Sequence, residues 1–174
     1  MKTSIALIGF MGTGKTVAGK LLARKLRKEF VELDSLIERK AGRIITEIFQ
    51  QEGEMAFREL EIEVAREVSG RKNVVIACGG GVVLNKINID RLSKECLIVY
   101  LTASPSVILQ RTSNSINKRP LLNTGNRTRA VRKLLESRKP FYEQAADITI
   151  DTSKLDINSV VEQIINKLKE GEIA

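Results

Sequence analysis

Short apolar runs alternate with longer amphipathic ones along this chain, and the alternation predicts strands and helices in turn. Runs at residues 4–8, 30–33, 74–78, 97–101 and 147–150 read as buried strands. Apolar positions at helical spacing predict helices over residues 15–27, 35–40, 44–50, 54–68, 104–112, 129–143 and 157–169. The last is the clearest: Ile157, Val160, Val161, Ile164, Ile165 and Leu168 form one stripe, and Asp156 is placed to cap it. Pro140 is expected to bend or end the helix it falls in. This order of elements predicts an α/β protein with a parallel sheet. Residues 113–126 break the rhythm: they are polar, rich in Ser, Asn and Gly, and read as a mobile active-site lid.

Composition narrows the class. A length of 174 residues suits one domain spanning 1–174. Aromatic content is 4% with no Trp, so the core is aliphatic, which fits a buried sheet better than a base-stacking surface. The formal net charge of +8 fits either a nucleic-acid binder or a site that gathers phosphates and carboxylates. Interleaved aromatics, helix-turn-helix and zinc patterns are all missing, so no nucleic-acid partner is expected. Arg127, Arg129 and Arg132 are expected on a solvated helix face. Cys78 and Cys96 are too few for a disulfide framework or a metal cluster and read as small buried hydrophobes. No stretch approaches the ~18 apolar residues of a membrane span, and residues 1–11 lack the features of a signal peptide. A cytoplasmic protein, monomeric by default and with no membrane partner, is the expectation.

The strongest chemical signal is Gly9-Phe10-Met11-Gly12-Thr13-Gly14-Lys15-Thr16, which matches G-x-x-x-x-G-K-[ST] between a strand and a helix. Glycines let the backbone curl so that the N–H groups of Gly12, Thr13 and Gly14 point into an anion-sized nest. The following helix N-terminus adds positive potential. Lys15 can reach the transferred phosphoryl group, and the Thr16 hydroxyl can ligate Mg²⁺. A GTPase would need N-K-x-D; Asn85-Lys86-Ile87-Asn88 ends in Asn and is rejected.

The remaining polar pattern points to a small anionic acceptor. Glu32 and Asp34 fall at the end of the second strand, where side chains two apart share one side. Ligands of open α/β sheets collect there, so Asp34 is placed to hold a substrate hydroxyl, or else to cap the next helix. Glu54, Arg58 and Glu61 share one helical face, either as a surface ion-pair ladder or as a pocket wall. Phe49 and Phe57 favour the wall. Gly79-Gly80-Gly81 after an apolar strand implies close approach of a ligand to the backbone. Arg119 lies in the expected lid, and Arg138 stands just before Lys139-Pro140. Arginine forks suit phosphate and carboxylate.

These residues together resemble the shikimate kinase family. The resemblance rests on the phosphate loop, Asp34, the run from Glu47-Ile48-Phe49 to Gly53-Glu54, Phe57-Arg58, the triple glycine, Arg119-Pro120-Leu121 and Arg138-x-Pro140-x-Tyr142. Their order and spacing match over about residues 4–168. The resemblance implies a three-layer α/β/α P-loop fold, with a five-stranded parallel sheet flanked by helices. It implies transfer of the ATP γ-phosphoryl group to the 3-hydroxyl of shikimate, with Mg²⁺ as cofactor. Asp34 would hold ring hydroxyls, Arg58 and Arg138 the carboxylate, and Gly80 would offer its backbone. Phe49, Phe57, Glu61, Gly79 and Gly81 would complete the acceptor site. Arg119 would close on the phosphates. Val17 would extend the ATP-binding run, with Arg111 and Ser153 near the adenine. Glu32 stands where the family commonly carries Asp, in a position associated with the water shell of the metal. Kinases of the same fold acting on gluconate or on nucleotides are the alternative, against which the two phenylalanines and triple glycine favour a compact ring.

Overall fold

All five apolar runs become strands of one parallel sheet, ordered β2-β3-β1-β4-β5. The structure is a computed structural model describing residues 2–113 and 125–172. The strands are β1 (Ser4–Ile8), β2 (Glu29–Glu32), β3 (Val74–Ala77), β4 (Cys96–Thr102) and β5 (Ile148–Asp151). The helices are α1 (Lys15–Leu26), α2 (Leu33–Ala41), α3 (Ile45–Ser69), α4 (Lys86–Glu95), α5 (Pro105–Thr112), α6 (Arg127–Ala145) and α7 (Ile157–Glu172).

The central strand shows why there are three layers. Successive side chains of a strand point to opposite faces. Ile5 and Leu7 therefore pack with Leu22 of α1 and Val160, Val161 and Ile164 of α7. Ala6 and Ile8 pack on the other face with Ile37, Ile48, Phe57, Val64, Leu92 and Val131 from α2, α3, α4 and α6. The stripe on α7 is thus structural, and its first turn is capped as expected: Ser159 N–H donates to Asp156 at 2.8 Å.

Three local readings change. β2 ends at Glu32, so Asp34 sits in the first turn of α2 rather than on a strand. Leu33 is fully buried, and turning into a helix there drives it into the core. The expected break between the helical runs 44–50 and 54–68 is present inside α3 at Gly53, whose φ of 85° and ψ of 175° suit glycine. Helix α4 was not anticipated, because its sequence is polar and Leu92 is its one fully buried apolar residue. Pro140 does not end α6, which runs on to Ala145. An interior proline costs a helix about 3 kcal/mol. Burial of the Tyr142 ring, two residues further on, works against that cost.

Arg127 is a further correction. It begins α6 and turns back onto α5, donating to the Leu109 carbonyl at 3.0 Å and to Thr112 Oγ1 at 2.5 Å. It is a tie between helices and not a solvated side chain. Most of the expected lid, residues 114–124, lies outside the described residues. Among the described residues no helix is long and apolar enough to cross a membrane.

Candidate active site

The phosphate loop leaves β1 at Ile8 and enters α1 at Lys15. Gly9, with φ of 148°, passes so close to β4 that an added Cβ would stand 2.2 Å from the Leu101 carbonyl oxygen. Gly14 takes the left-handed conformation at the N-cap of α1, whose first turn holds no acid. The positive helix end is therefore left for an anion. Lys15 Nζ spans the loop, donating to the carbonyls of Gly9 at 2.8 Å and Phe10 at 2.9 Å. The Thr13 side chain is buried and bonds Phe10 at 2.8 Å, so it braces the loop from behind. Val17 is exposed and lines the mouth.

Thr16 hydroxyl donates to one oxygen of Glu32, and Ser35 hydroxyl donates to the other at 3.3 Å. The longer Glu side chain thus still brings its carboxylate to the hydroxyl. Mg²⁺ is usually held by one or two carboxylates together with substrate phosphates. Among the described residues no cluster of three or more His, Cys, Asp or Glu forms a cation cage. Thr16 and Glu32, beside the phosphate nest, fit a metal that arrives with the nucleotide.

The acceptor side begins on α3. Arg58 pairs with Glu54 at 3.1 Å and Glu61 at 3.0 Å, so the ladder and the pocket wall are the same feature. Glu61 is fully buried. Burial pushes its carboxyl above the ordinary range, Arg58 opposes the rise, and neighbouring Asp34 adds to it. Phe49 and Phe57 stack with centroids 4.9 Å apart, and Arg58 lies 5.1 Å from the Phe57 ring.

Charged side chains crowd Gly79 and Gly81. A Cβ on Gly79 would stand 2.9 Å from Asp34 Oδ1 and 3.0 Å from Glu61 Oε2. On Gly81 it would overlap the Arg58 guanidinium at 2.2 Å, and on Gly80 it would lie 3.4 Å from Arg138 Nη1. Arg138 is 2% exposed. Among the described residues no carboxylate lies within ion-pair distance of it, and its Nε has no hydrogen-bond partner there. The guanidinium carbon is 5.9 Å from the Phe10 ring.

One cavity of about 420 Å³ joins these halves, lined by Lys15, Thr16, Glu32, Asp34, Arg58, Gly80, Arg111 and Arg138 among others. Arg111 reaches its wall from α5, donating to Gly12 O at 3.3 Å and to Thr152 Oγ1 at 3.0 Å. Ser153 is not among the lining residues; its hydroxyl accepts from Ser104 N–H at 2.9 Å, and Thr152 makes the contacts to the loop. Arg119 lies outside the described residues. Met11, Ile45 and Cys78 also line the cavity, unsignalled in the sequence because each reads as core. Burial drives the Cys78 thiol far above its ordinary range and pushes Cys96 up to about 11, which leaves both inert.

A phosphate loop at the carboxyl end of a central parallel strand, opening onto a charged acceptor cavity, defines a P-loop kinase. The family model for shikimate kinase matches residues 11–169. A shikimate kinase of Thermodesulfovibrio yellowstonii is 46% identical, over 94% of each chain. One of Caldanaerobacter subterraneus is 47% identical over 93% of this chain and 94% of its own. The structure of the Acinetobacter baumannii shikimate kinase in complex with shikimate superposes with a TM-score of 0.95, at 37% identity, covering 100% of this chain and 97% of that one. The chain belongs to the shikimate kinase family.

Proposed function

We propose that this chain transfers the γ-phosphoryl group of ATP to the 3-hydroxyl of shikimate, giving shikimate 3-phosphate and ADP. The observation that carries this reading is Arg138, a buried guanidinium without a carboxylate partner among the described residues, in the same cavity as the phosphate loop. A buried charge without its counter-ion is costly, and a carboxylated acceptor supplies one. Arg58, pre-oriented by Glu54 and Glu61, stands across the triple glycine as the second cation. Such an acceptor carries its hydroxyls toward Asp34, on the phosphate side.

The chemistry then divides by residue. Lys15 leaves the Gly9 and Phe10 carbonyls to meet the transferred phosphoryl group, which the N-terminus of α1 also stabilises. Asp34 accepts the hydroxyl proton or orients that hydroxyl. In a loose phosphoryl-transfer transition state a strong base is not required, and alignment supplies most of the acceleration. Thr16 and Glu32 are the residues to hold Mg²⁺, which when bound neutralises charge on the β- and γ-phosphates.

The test is ADP release from Mg-ATP with shikimate, gluconate, nucleoside monophosphates or no acceptor. Turnover with shikimate alone is expected. Turnover with another acceptor instead would overturn the reading of the pocket while leaving the kinase class in place.

A further inference from the structure

Tyr142 makes a polar link that the scheme above does not use. It lies on the same face of α6 as Arg138, one turn further on, and is fully buried. Its ring stacks on Tyr100 of β4 with centroids 5.0 Å apart and 20° between planes. Packing alone asks only for that ring. The hydroxyl does something more specific: it donates to the carbonyl of Gly80, in the wall of the acceptor cavity. Burial pushes the phenol up to about 12, against the pull of Arg138, so it stays protonated as a donor.

The target of that bond is a turn with no side chains of its own to hold it. Gly79 O accepts from Val82 N–H at 3.1 Å, which secures the start of the turn. The peptide between Gly80 and Gly81 is secured from α6. A trans peptide is planar, so fixing the Gly80 carbonyl also fixes the direction of the Gly81 N–H on its opposite edge. The same turn packs against both cations, Arg138 beside Gly80 and Arg58 beside Gly81.

We infer that Tyr142 is a positioning residue for the acceptor, its hydroxyl setting the Gly80–Gly81 peptide and through it the wall against which Arg58 and Arg138 bind the substrate. The inference rests on the shikimate reading above. Removing the hydroxyl loosens the acceptor half of the cleft and leaves the phosphate half in place.

The experiment compares wild type, Tyr142→Phe and Tyr100→Phe in the full chain. It measures shikimate Kd by calorimetry, both KM values and the melting temperature. Wild type binding shikimate is required first; if it does not bind, the functional reading fails and this inference falls with it. Given that binding, Tyr142→Phe is expected to weaken shikimate about three- to tenfold, the range of one net hydrogen bond. Its KM for ATP should stay within about twofold, and Tyr100→Phe, which keeps the Gly80 bond, should match wild type in both. Unchanged shikimate affinity in Tyr142→Phe overturns the inference. So does an equal loss of shikimate and ATP affinity, which would mark the hydroxyl as serving the fold in general.

Discussion

The phosphate half of the cleft comes from one uninterrupted run, Gly9 to Thr16, whereas the acceptor half draws Asp34, Arg58, Gly80 and Arg138 from separate stretches of chain. The first stores its geometry in the backbone: a left-handed Gly14, a Gly9 with no room for a Cβ, and the end of α1. The second stores it in charges. Arg58 is braced by two glutamates, one fully buried, and Arg138 is buried without an acid within ion-pair distance among the described residues. A backbone nest carries its donors within one run of residues. A set of buried charges works only when every partner is in place.

That contrast can be broken most directly at Lys15. Lys15→Met should lower kcat about 10²–10³-fold, the effect of removing one preorganised electrostatic donor. Shikimate affinity, read by calorimetry, should stay within about twofold; its collapse would mean that the two halves are not separable. Next in size, Arg138→Ala or Arg58→Ala should raise the shikimate KM roughly 30–150-fold, corresponding to ~2–3 kcal/mol of charge-assisted hydrogen bonding. The KM for ATP should hardly move, and steady-state kinetics with each substrate varied in turn would expose an equal loss on both sides.

Gly81→Ala sharpens the comparison without removing a charge. Its Cβ would overlap Arg58 at 2.2 Å and drive that side chain off Glu61. One disturbed charged contact is worth about 1.5 kcal/mol, so a rise of about tenfold in shikimate KM is expected. An unaltered KM would show that Arg58 has another place to stand.

The smallest effect concerns stability. Burial raises the Glu61 carboxyl above the ordinary Glu value of 4.5 in the folded state. The folded chain then binds a proton that the unfolded chain has released, so stability is fullest below 4.5 and declines as pH rises through the higher folded value. Wild type should lose melting temperature over that window relative to Glu61→Gln, by about 2–4 °C for each kcal/mol. Parallel curves in calorimetric scans would place the Glu61 titration outside this range.

The strands, the phosphate loop and the amphipathic α7 were legible along the chain because each is a local pattern. Burial on both faces makes a continuous apolar run, a helix makes a stripe, and an anion nest needs glycines at fixed spacing. Arg58 was legible as one of two things, a surface ladder or a pocket wall, and the choice depended on what packs across from it. Helix α4 and the passage of α6 through Pro140 were not legible. A polar segment becomes helical when one residue such as Leu92 is buried, and a proline is tolerated when its neighbours are held from outside. Arg127 was misread for the same reason: its partners, Leu109 and Thr112, are distant in sequence. Residue spacing was enough for the P-loop chemistry and the sheet, because backbone conformation and side-chain periodicity are short-range. The bracketing of Gly79 by Asp34 and Glu61, the buried Arg138 and the bond from Tyr142 to Gly80 arose when the chain closed on itself, because electrostatics and packing act through space.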